Sequence, residues 1–545
     1  MPFNKRTQLN LADTRSLIRN VGHKETKMDR REFLKQAIIG TMAIAGMSGF
    51  MFASESKRPE KPPNILFIMS DDHTTQAIGV YGSRLAKMNP TPNIDALARN
   101  GMRFDRVFCN NSICTPSRAS IITGQYSQTN QVLDLNGKLP PNKQYLPKEM
   151  KTAGYHTAMI GKWHLKEEPA SFDYYCVLPG QGKYTDPSFR VQGSNPWPQN
   201  VIQSKGQHSS DAITDISLTW LKNGRDKSKP FFLMHHFKAP HDMFQNAKRY
   251  DRYLEDVEIP EPNNLHNQPA SGFGSEATRD FGAGVTKNHP SWNLGSKLGI
   301  DKKLDEPEYG KAVYQTYLKR YLRCVKGVDD NVKRLLDYLQ ETGELDNTVI
   351  MYTGDQGFFL GEHDFMDKRW IYEESMRMPF IVHWPKSVKK GQVNDWLINN
   401  TDFAPTILAL AGVEKTPDYM QGRSFTAALR GGVKPNDWRK VTYYRYWMHM
   451  AHRLRVPAHF GIRGERYKLV FVYGCTPNGG EQTPVAWEFY DLEKDPCEMH
   501  NQYANPSYGK IIEDMKVELQ RTRTDLNETD ERYPSITAII DAYWR

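Results

Sequence analysis

"NILFIMSDDH", residues 64–73, joins two unlike halves. Ile65 to Met69 are apolar without a break. Such a run fits a strand buried on both faces, the condition of a central strand in a parallel sheet. Ser70, Asp71, Asp72 and His73 follow at once. In open α/β sheets, ligands gather beyond the carboxyl ends of the strands. The stretch therefore reads as a central strand that delivers two aspartates to a site. Four more apolar runs follow: "HTAMIG" (156–161), "FFLMHHF" (231–237), "TVIMYTG" (348–354) and "PFIVHW" (379–384). Helical patterns lie between them. "NIDALARNG" (93–101) puts Ile94, Leu97 and Ala98 on one face, with Gly101 as the expected C-terminal stop. Residues 314–343 keep a helical apolar period from Tyr317 to Leu339. Strands alternating with helices predict an α/β fold, a large and mostly parallel sheet sandwiched by helices.

The chain has 545 residues, with 25% charged and 11% aromatic, an ordinary globular composition. Its formal charge is +9. Residues 1–53 hold nine Lys and Arg against four Asp and Glu, so more than half of that surplus lies in the first tenth of the chain. The remainder is only mildly basic and carries no nucleic-acid motif, which argues against a nucleic-acid partner. The basic N-terminus reads as an address. Arg30 and Arg31 precede Phe33, Leu34 and Lys35, and the apolar run "AIIGTMAIAGMSGFMFA" ends at Ala53. That order resembles a bacterial twin-arginine export signal, with Met28 as an alternative start. The run falls short of the ~20 residues a membrane span needs, which weighs against an anchor. Export through the twin-arginine machinery implies a periplasmic location, with the cell surface or the medium as the other destinations.

The expected organisation is a signal over 1–53, a charged Pro-rich linker over 54–63, a catalytic domain over 64–417 and a C-terminal subdomain over 418–545. In the last, "FGIRGERYKLVFVYG" and "WEFYDLEKDP" alternate like antiparallel strands, and "IIEDMKVELQRTRTDL" reads as an amphipathic helix. This makes a smaller α+β domain with an antiparallel sheet. Residues 262–310 are rich in Asn, Gly, Pro and Ser and read as an insertion at the site's rim. Cys475 and Cys497 flank a predicted hairpin and could pair, although spacing does not fix connectivity.

The other strand ends carry the same kind of chemistry as the first. Lys162 and His164 follow "HTAMIG", His241 follows "FFLMHHFKAP", and Asp355 and Gln356 follow "TVIMYTG". A polar residue after any one strand is ordinarily a turn; the recurrence is what points to a site. Asp71, Asp72, Asp355 and Gln356 offer only oxygen, a set suited to a hard cation, and calcium is favoured because several protein ligands are offered together. Arg118, Lys162, His164, His241 and Lys368 add positive charge around that cation, as a sulfate or phosphate ester requires. A lone thiol, Cys114, stands at the front of "SICTPSRASIITG" (112–124).

Cys114-Thr115-Pro116-Ser117-Arg118 is the Cys-x-Pro-x-Arg signature, supported by "PNILFIMSDDH", "GKWHL", "APH", "TGDQGFFLGEH" and "DKRWIYEES" in order. On these motifs the chain resembles the type I sulfatases of the alkaline-phosphatase-like superfamily, from residue 62 to the end. The resemblance implies that a formylglycine-generating or anaerobic sulfatase-maturing enzyme oxidises Cys114 to formylglycine, an aldehyde that hydrates to a diol. It implies that Asp71, Asp72, Asp355 and Gln356 hold one calcium ion together with a diol oxygen from position 114. Many relatives have Asn where Gln356 stands; Gln keeps the carbonyl but is one methylene longer. Arg118 and Lys162 should stabilise the diol, His164 should hydrogen-bond it, and His241 and Lys368 should contact the sulfate and the leaving oxygen. Attack by the diol on sulfur would expel a sugar alkoxide, and the second hydroxyl would then let sulfate leave.

The substrate expected from this resemblance is a sulfated polysaccharide, with algal ulvan favoured. A glycosaminoglycan or N-acetylglucosamine 6-sulfate is the alternative, followed by a phosphonate or phosphate monoester, and by glycan binding without catalysis. His459 and Arg463, with His449 and His452, are candidate sugar contacts because aromatic, His and Arg residues crowd the stretch 443–469, and His363 in "GEHDFMDKRW" is a further candidate. Oligomeric state is not legible in the sequence.

Overall fold

The computed structural model describes residues 61–544, except 271, 290 and 291. The export signal expected over residues 1–53, and the linker up to residue 60, lie outside the described residues. Among the described residues no helix is long and apolar enough to cross a membrane. The strand Asn64–Asp71 has all eight residues buried. Its alternate side chains enter two different cores. Ile65, Phe67 and Met69 pack with Ile121 and Ile122 of the helix that begins at Cys114. Leu66 and Ile68 pack with Tyr317, Tyr321 and Val325 of the helix Glu308–Glu341. A strand covered on both faces needs no polar side chain until it ends, which is why the apolar run is unbroken.

Ten strands form the main sheet. Their order is Gln392–Asn394, Met102–Phe104, Phe380–His383, Thr348–Gly354, Asn64–Asp71, Phe231–Pro240, His156–Lys162, Tyr174–Leu178, Ser188–Val191 and Val201–Gln203. The five from Thr348–Gly354 to Tyr174–Leu178 run parallel. The run "PFIVHW" also forms a strand, but an antiparallel one. Register brings the strand ends level. Ser70 pairs with Gly354, so Asp355 emerges beside Asp71. On the other side a register shift after Ser70 sets Asp71 opposite Pro240, which places His241 next to it. Gly161 pairs with His236, and Lys162 ends its strand on the same edge.

The smaller sheet holds Val441–Tyr446, His459–Gly464, Tyr467–Val472 and Ala486–Asp491, all antiparallel. The helix Gly509–Asp525 buries Ile512, Met515 and Leu519 in that sheet's core. Residues 61–545 belong to one compact unit. Within the 262–310 insertion, Ala283–Gly284 pairs with the strand Phe365–Asp367, and the short helix Gly295–Leu298 brings Lys297 to the catalytic cavity.

Two local expectations need correction. The helix over 93–101 spans Pro92–Arg99 and is capped by Asn100. Gly101 is not a left-handed stop; a Cβ there would lie 2.2 Å from the Val382 carbonyl oxygen, so close approach to the neighbouring strand explains the glycine. Cys475 and Cys497 do not pair; all six cysteines are free. Cys475 is buried in the small sheet's core, whereas Cys497 is exposed in a groove beside Met499 and Asn264.

Candidate active site

Cys114 is the first residue of the helix Cys114–Thr123 and is 1% exposed. Ile113 before it is extended, and Gly124 closes the helix in the left-handed region. The helix turns Arg118 back toward the sheet. Its Nε and Nη2 donate to Asp355 Oδ2 at 3.0 and 2.8 Å, and its Nη1 donates to the Lys162 carbonyl at 2.6 Å. Lys162 Nζ pairs with Asp71 Oδ2 and also donates to Gln181 Oε1 at 2.5 Å. Lys368 Nζ donates to both oxygens of Asp72 at 2.7 Å. The structure thus brings together Cys114, Arg118, Lys162, His164, His241 and Lys368 with Asp71, Asp72, Asp355 and Gln356.

Successive side chains on a strand point to opposite faces, so Asp71 and Asp72 should diverge. They converge because Asp72 leaves the strand at φ 65°, a left-handed turn that costs a non-glycine residue about 1 kcal/mol or more. Hydrogen bonds hold that turn. The Asp72 N–H donates to Asp355 Oδ1 at 3.0 Å. Tyr321 donates its hydroxyl to the Asp72 carbonyl at 2.7 Å and accepts from the Thr74 N–H at 3.2 Å. Tyr321→Phe is therefore expected to weaken divalent-ion binding about tenfold. Tyr317→Phe is the matched control, because the Tyr317 hydroxyl bonds the Phe359 carbonyl instead. Calcium titration of chelator-treated protein reads the difference; equal affinities in both variants would refute this role.

Ligand oxygens of Asp71, Asp72 and Asp355 lie within 4.8 Å of one another. Two further oxygens there, Asp71 Oδ1 and Gln356 Oε1, are buried without a hydrogen-bond partner. Buried acceptors are rarely left unpaired, and a hard cation would satisfy both. The donor set therefore fits a divalent ion of the calcium or magnesium type. Around position 114 the potential is positive. Burial pushes the Cys114 thiol up, but Lys162 and His164 outweigh it and hold it well below the usual thiol range.

The two histidines are driven apart. Burial keeps His164 below its ordinary value. Burial and Lys162 also press on His241, yet Asp71 and Asp72 raise it to about 9. Asp242 Oδ1 lies 2.5 Å from His241 Nδ1 and helps to orient the ring. A neutral histidine beside a protonated one is the arrangement that separates a base from an acid.

A cavity of about 330 Å³ opens onto Cys114. Its wall includes His241, Asp242, Gln181, Asp367, Lys368, Arg369 and His452. Sequence reasoning missed Gln181 and Asp242: Asp242 is one residue beyond His241, and Gln181 lies three residues past the strand Tyr174–Leu178 of the same sheet. Arg369 is buried and pairs with Asp367 at 2.8 Å.

Three expected sugar contacts are not on this wall. His363 is buried, its ring stacked on Phe273 with centroids 3.9 Å apart. His459 is fully buried against Trp370, accepts from the Ile371 N–H at 3.2 Å and donates to the Pro457 carbonyl at 2.8 Å. Arg463 pairs with Glu373 at 3.1 Å and covers the ring of Phe108. Each secures one part of the fold to another. His449 is likewise buried and accepts from the Ala458 N–H at 3.2 Å. Of the five, only His452 lines the cavity.

Comparison with known proteins agrees with this geometry. The sulfatase family model matches residues 63–413, and a model of the N-sulphoglucosamine sulphohydrolase C-terminal region matches 361–525. An N-acetylglucosamine-6-O-sulfatase of Bacteroides thetaiotaomicron is 38% identical over 530 residues, covering 90% of this chain and 91% of that protein. An ulvan-active sulfatase of Formosa agariphila is 26% identical, over 90% of this chain and 86% of its own. A solved structure in complex with its substrate D-glucosamine-2-N,6-O-disulfate superposes with a TM-score of 0.77 at 36% identity, covering 87% of this chain and 99% of that one. With the Cys-x-Pro-x-Arg helix, the acidic cluster and the converging cations in one cavity, the chain belongs to the sulfatase family and is a sulfuric ester hydrolase of the alkaline-phosphatase-like fold.

Proposed function

We propose that the protein hydrolyses the 6-O-sulfate ester of glucosamine or N-acetylglucosamine residues derived from glycosaminoglycans. The observation that carries this reading is the 38% identity, over nine-tenths of both chains, to an N-acetylglucosamine-6-O-sulfatase. The ulvan-active relatives are more distant, at 26% and 24%. The expectation of an algal substrate therefore gives way to its glucosamine alternative. The cavity supports the reading in size and chemistry. About 330 Å³ admits one sugar residue, and the Asp367–Arg369 pair offers an acceptor and donors for its hydroxyls.

In this proposal Cys114 is converted to formylglycine by a maturing enzyme, and Asp71, Asp72, Asp355 and Gln356 hold calcium. The bound cation would supply Lewis-acid stabilisation of negative oxygen. The chain's own residues do the remainder. Lys162 and Arg118 hold positive charge against the nucleophilic position. His164, kept neutral, takes the proton that releases sulfate in the second half-reaction. His241, on the cavity wall with its Nδ1 against Asp242, donates to the departing sugar oxygen. Lys368 turns from Asp72 toward the sulfate oxygens. The paired arginines at 30 and 31 support export to the periplasm as part of the same proposal.

The test is sulfate release by the matured enzyme across a panel. It should include N-acetylglucosamine 6-sulfate, galactosamine 6-sulfate, ulvan oligosaccharides and an aryl phosphonate. Turnover fastest on the glucosamine 6-sulfate is expected. Turnover on ulvan or phosphonate alone would overturn the proposal.

A further inference from the structure

The inner cations of the cavity are all matched to carboxylates. Lys162 pairs with Asp71, Arg118 with Asp355, Lys368 with Asp72, Arg369 with Asp367 and His241 with Asp242. These groups already serve a metal and one sulfate. The cavity wall carries two further cations. Arg453 lines it from the turn His452–Leu454, and Lys297 lines it from the helix Gly295–Leu298. Arg453 is exposed and, among the described residues, makes no ion pair.

The Arg453 turn is a built feature. Met450, His452 and Arg455 all have positive φ, at 52°, 61° and 48°. Non-glycine residues hold that conformation only where the surroundings impose it. The Met450 N–H donates to the Val456 carbonyl at 2.9 Å and closes the loop at its base. Arg455 lies over the ring of Phe281, 5.7 Å from its centroid, which ties the turn to the same insertion that carries Lys297. Two elements far apart in the chain are thus fastened together, and each sends a cation to one cavity. Leu454 and Leu135 add apolar wall to the same cavity.

We propose that Arg453 forms a second anion subsite on this cavity, for a negative group of the substrate other than the sulfate that is cleaved. The inference rests on the glucosamine 6-sulfate reading and deepens it. Two groups share the required chemistry: an N-sulfate on the same glucosamine, and the carboxylate of an adjoining uronic acid. A guanidinium on a short fastened turn suits either, since it can bind two oxygens at once.

The experiment compares kcat/KM of the full, matured protein and its Arg453→Gln variant on three substrates. These are N-acetylglucosamine 6-sulfate, glucosamine 2-N,6-O-disulfate, and a disaccharide with 6-sulfated N-acetylglucosamine next to a uronic acid. The wild type is expected to prefer at least one doubly charged substrate over the singly charged one by about tenfold, mostly through KM. Arg453→Gln should bring that ratio close to one, and raised salt should shrink it in the wild type. The substrate whose advantage disappears identifies the source of the second anion. Activity with no such preference, or a variant that slows all three substrates alike through kcat, would overturn the subsite while leaving the glucosamine reading in place. A wild type inactive on all three would overturn that reading and the subsite with it.

Discussion

Cys114→Ala should reduce sulfate release to background, a loss of at least about ten-thousandfold in kcat. The reason is positional. Lys162, His164 and His241 act on position 114, and the two hydroxyls that follow it on its helix are engaged elsewhere. Ser117, three residues on along the same helix, donates to the Asp355 carbonyl instead. Thr115 donates to the His164 carbonyl at 3.1 Å. The variant should remain folded, because Cys114 adds little to the core and its helix is held by Arg118, Ile121 and Ile122. A melting temperature within about 2 °C of wild type is expected. Activity above a tenth of wild type in a folded Cys114→Ala protein would exclude position 114 as the nucleophile.

Stripping the divalent ion is the second large effect. Without a cation, three carboxylates face one another within 4.8 Å in a fully buried cluster. At an effective dielectric of about 20, each such pair repels by roughly 3 kcal/mol. Lys162 and Lys368 offset this by pairing with Asp71 and Asp72, and Arg118 pairs with Asp355 at 2.8 Å and with Asp71 at 3.5 Å. Those contacts occupy the very cations that a sulfate ester needs. Metal removal is therefore expected to do two things at once: lose the cation's own stabilisation and commit the lysines to the aspartates. A fall of at least about a hundredfold in kcat/KM should follow chelation. Calcium should restore activity, with zinc a poor substitute on an all-oxygen donor set. Activity unaffected by chelation, in protein shown by elemental analysis to be metal-free, would refute the metal centre.

Much of the site was legible because its residues follow strands. Asp71, Lys162, His241 and Asp355 each sit a residue or so past an apolar run, and parallel register aligns those ends on one edge of the sheet. What sequence could not supply was orientation. The left-handed turn at Asp72 depends on Tyr321, which lies 249 residues away, so no local pattern announces it. The same limit explains the three misplaced sugar contacts. His459 and Arg463 stand on the strand His459–Gly464, where every residue is buried. His and Arg residues there look like a glycan platform but pack the small sheet against Trp370, Ile371, Glu373 and Phe108. Gly101 shows the converse: a glycine required by a neighbour's backbone is indistinguishable, in sequence, from one that ends a helix. The cavity's chemistry was readable, while the proposal of a glucosamine substrate draws on the comparison with relatives.

The most direct test of the central claim is the mass of the peptide spanning Cys114, taken from protein that has been matured in its host and shown to release sulfate. The account predicts the aldehyde or its hydrate at position 114, in a fraction of molecules that rises in proportion to specific activity. A fully active preparation in which that peptide carries only the unmodified thiol would contradict it.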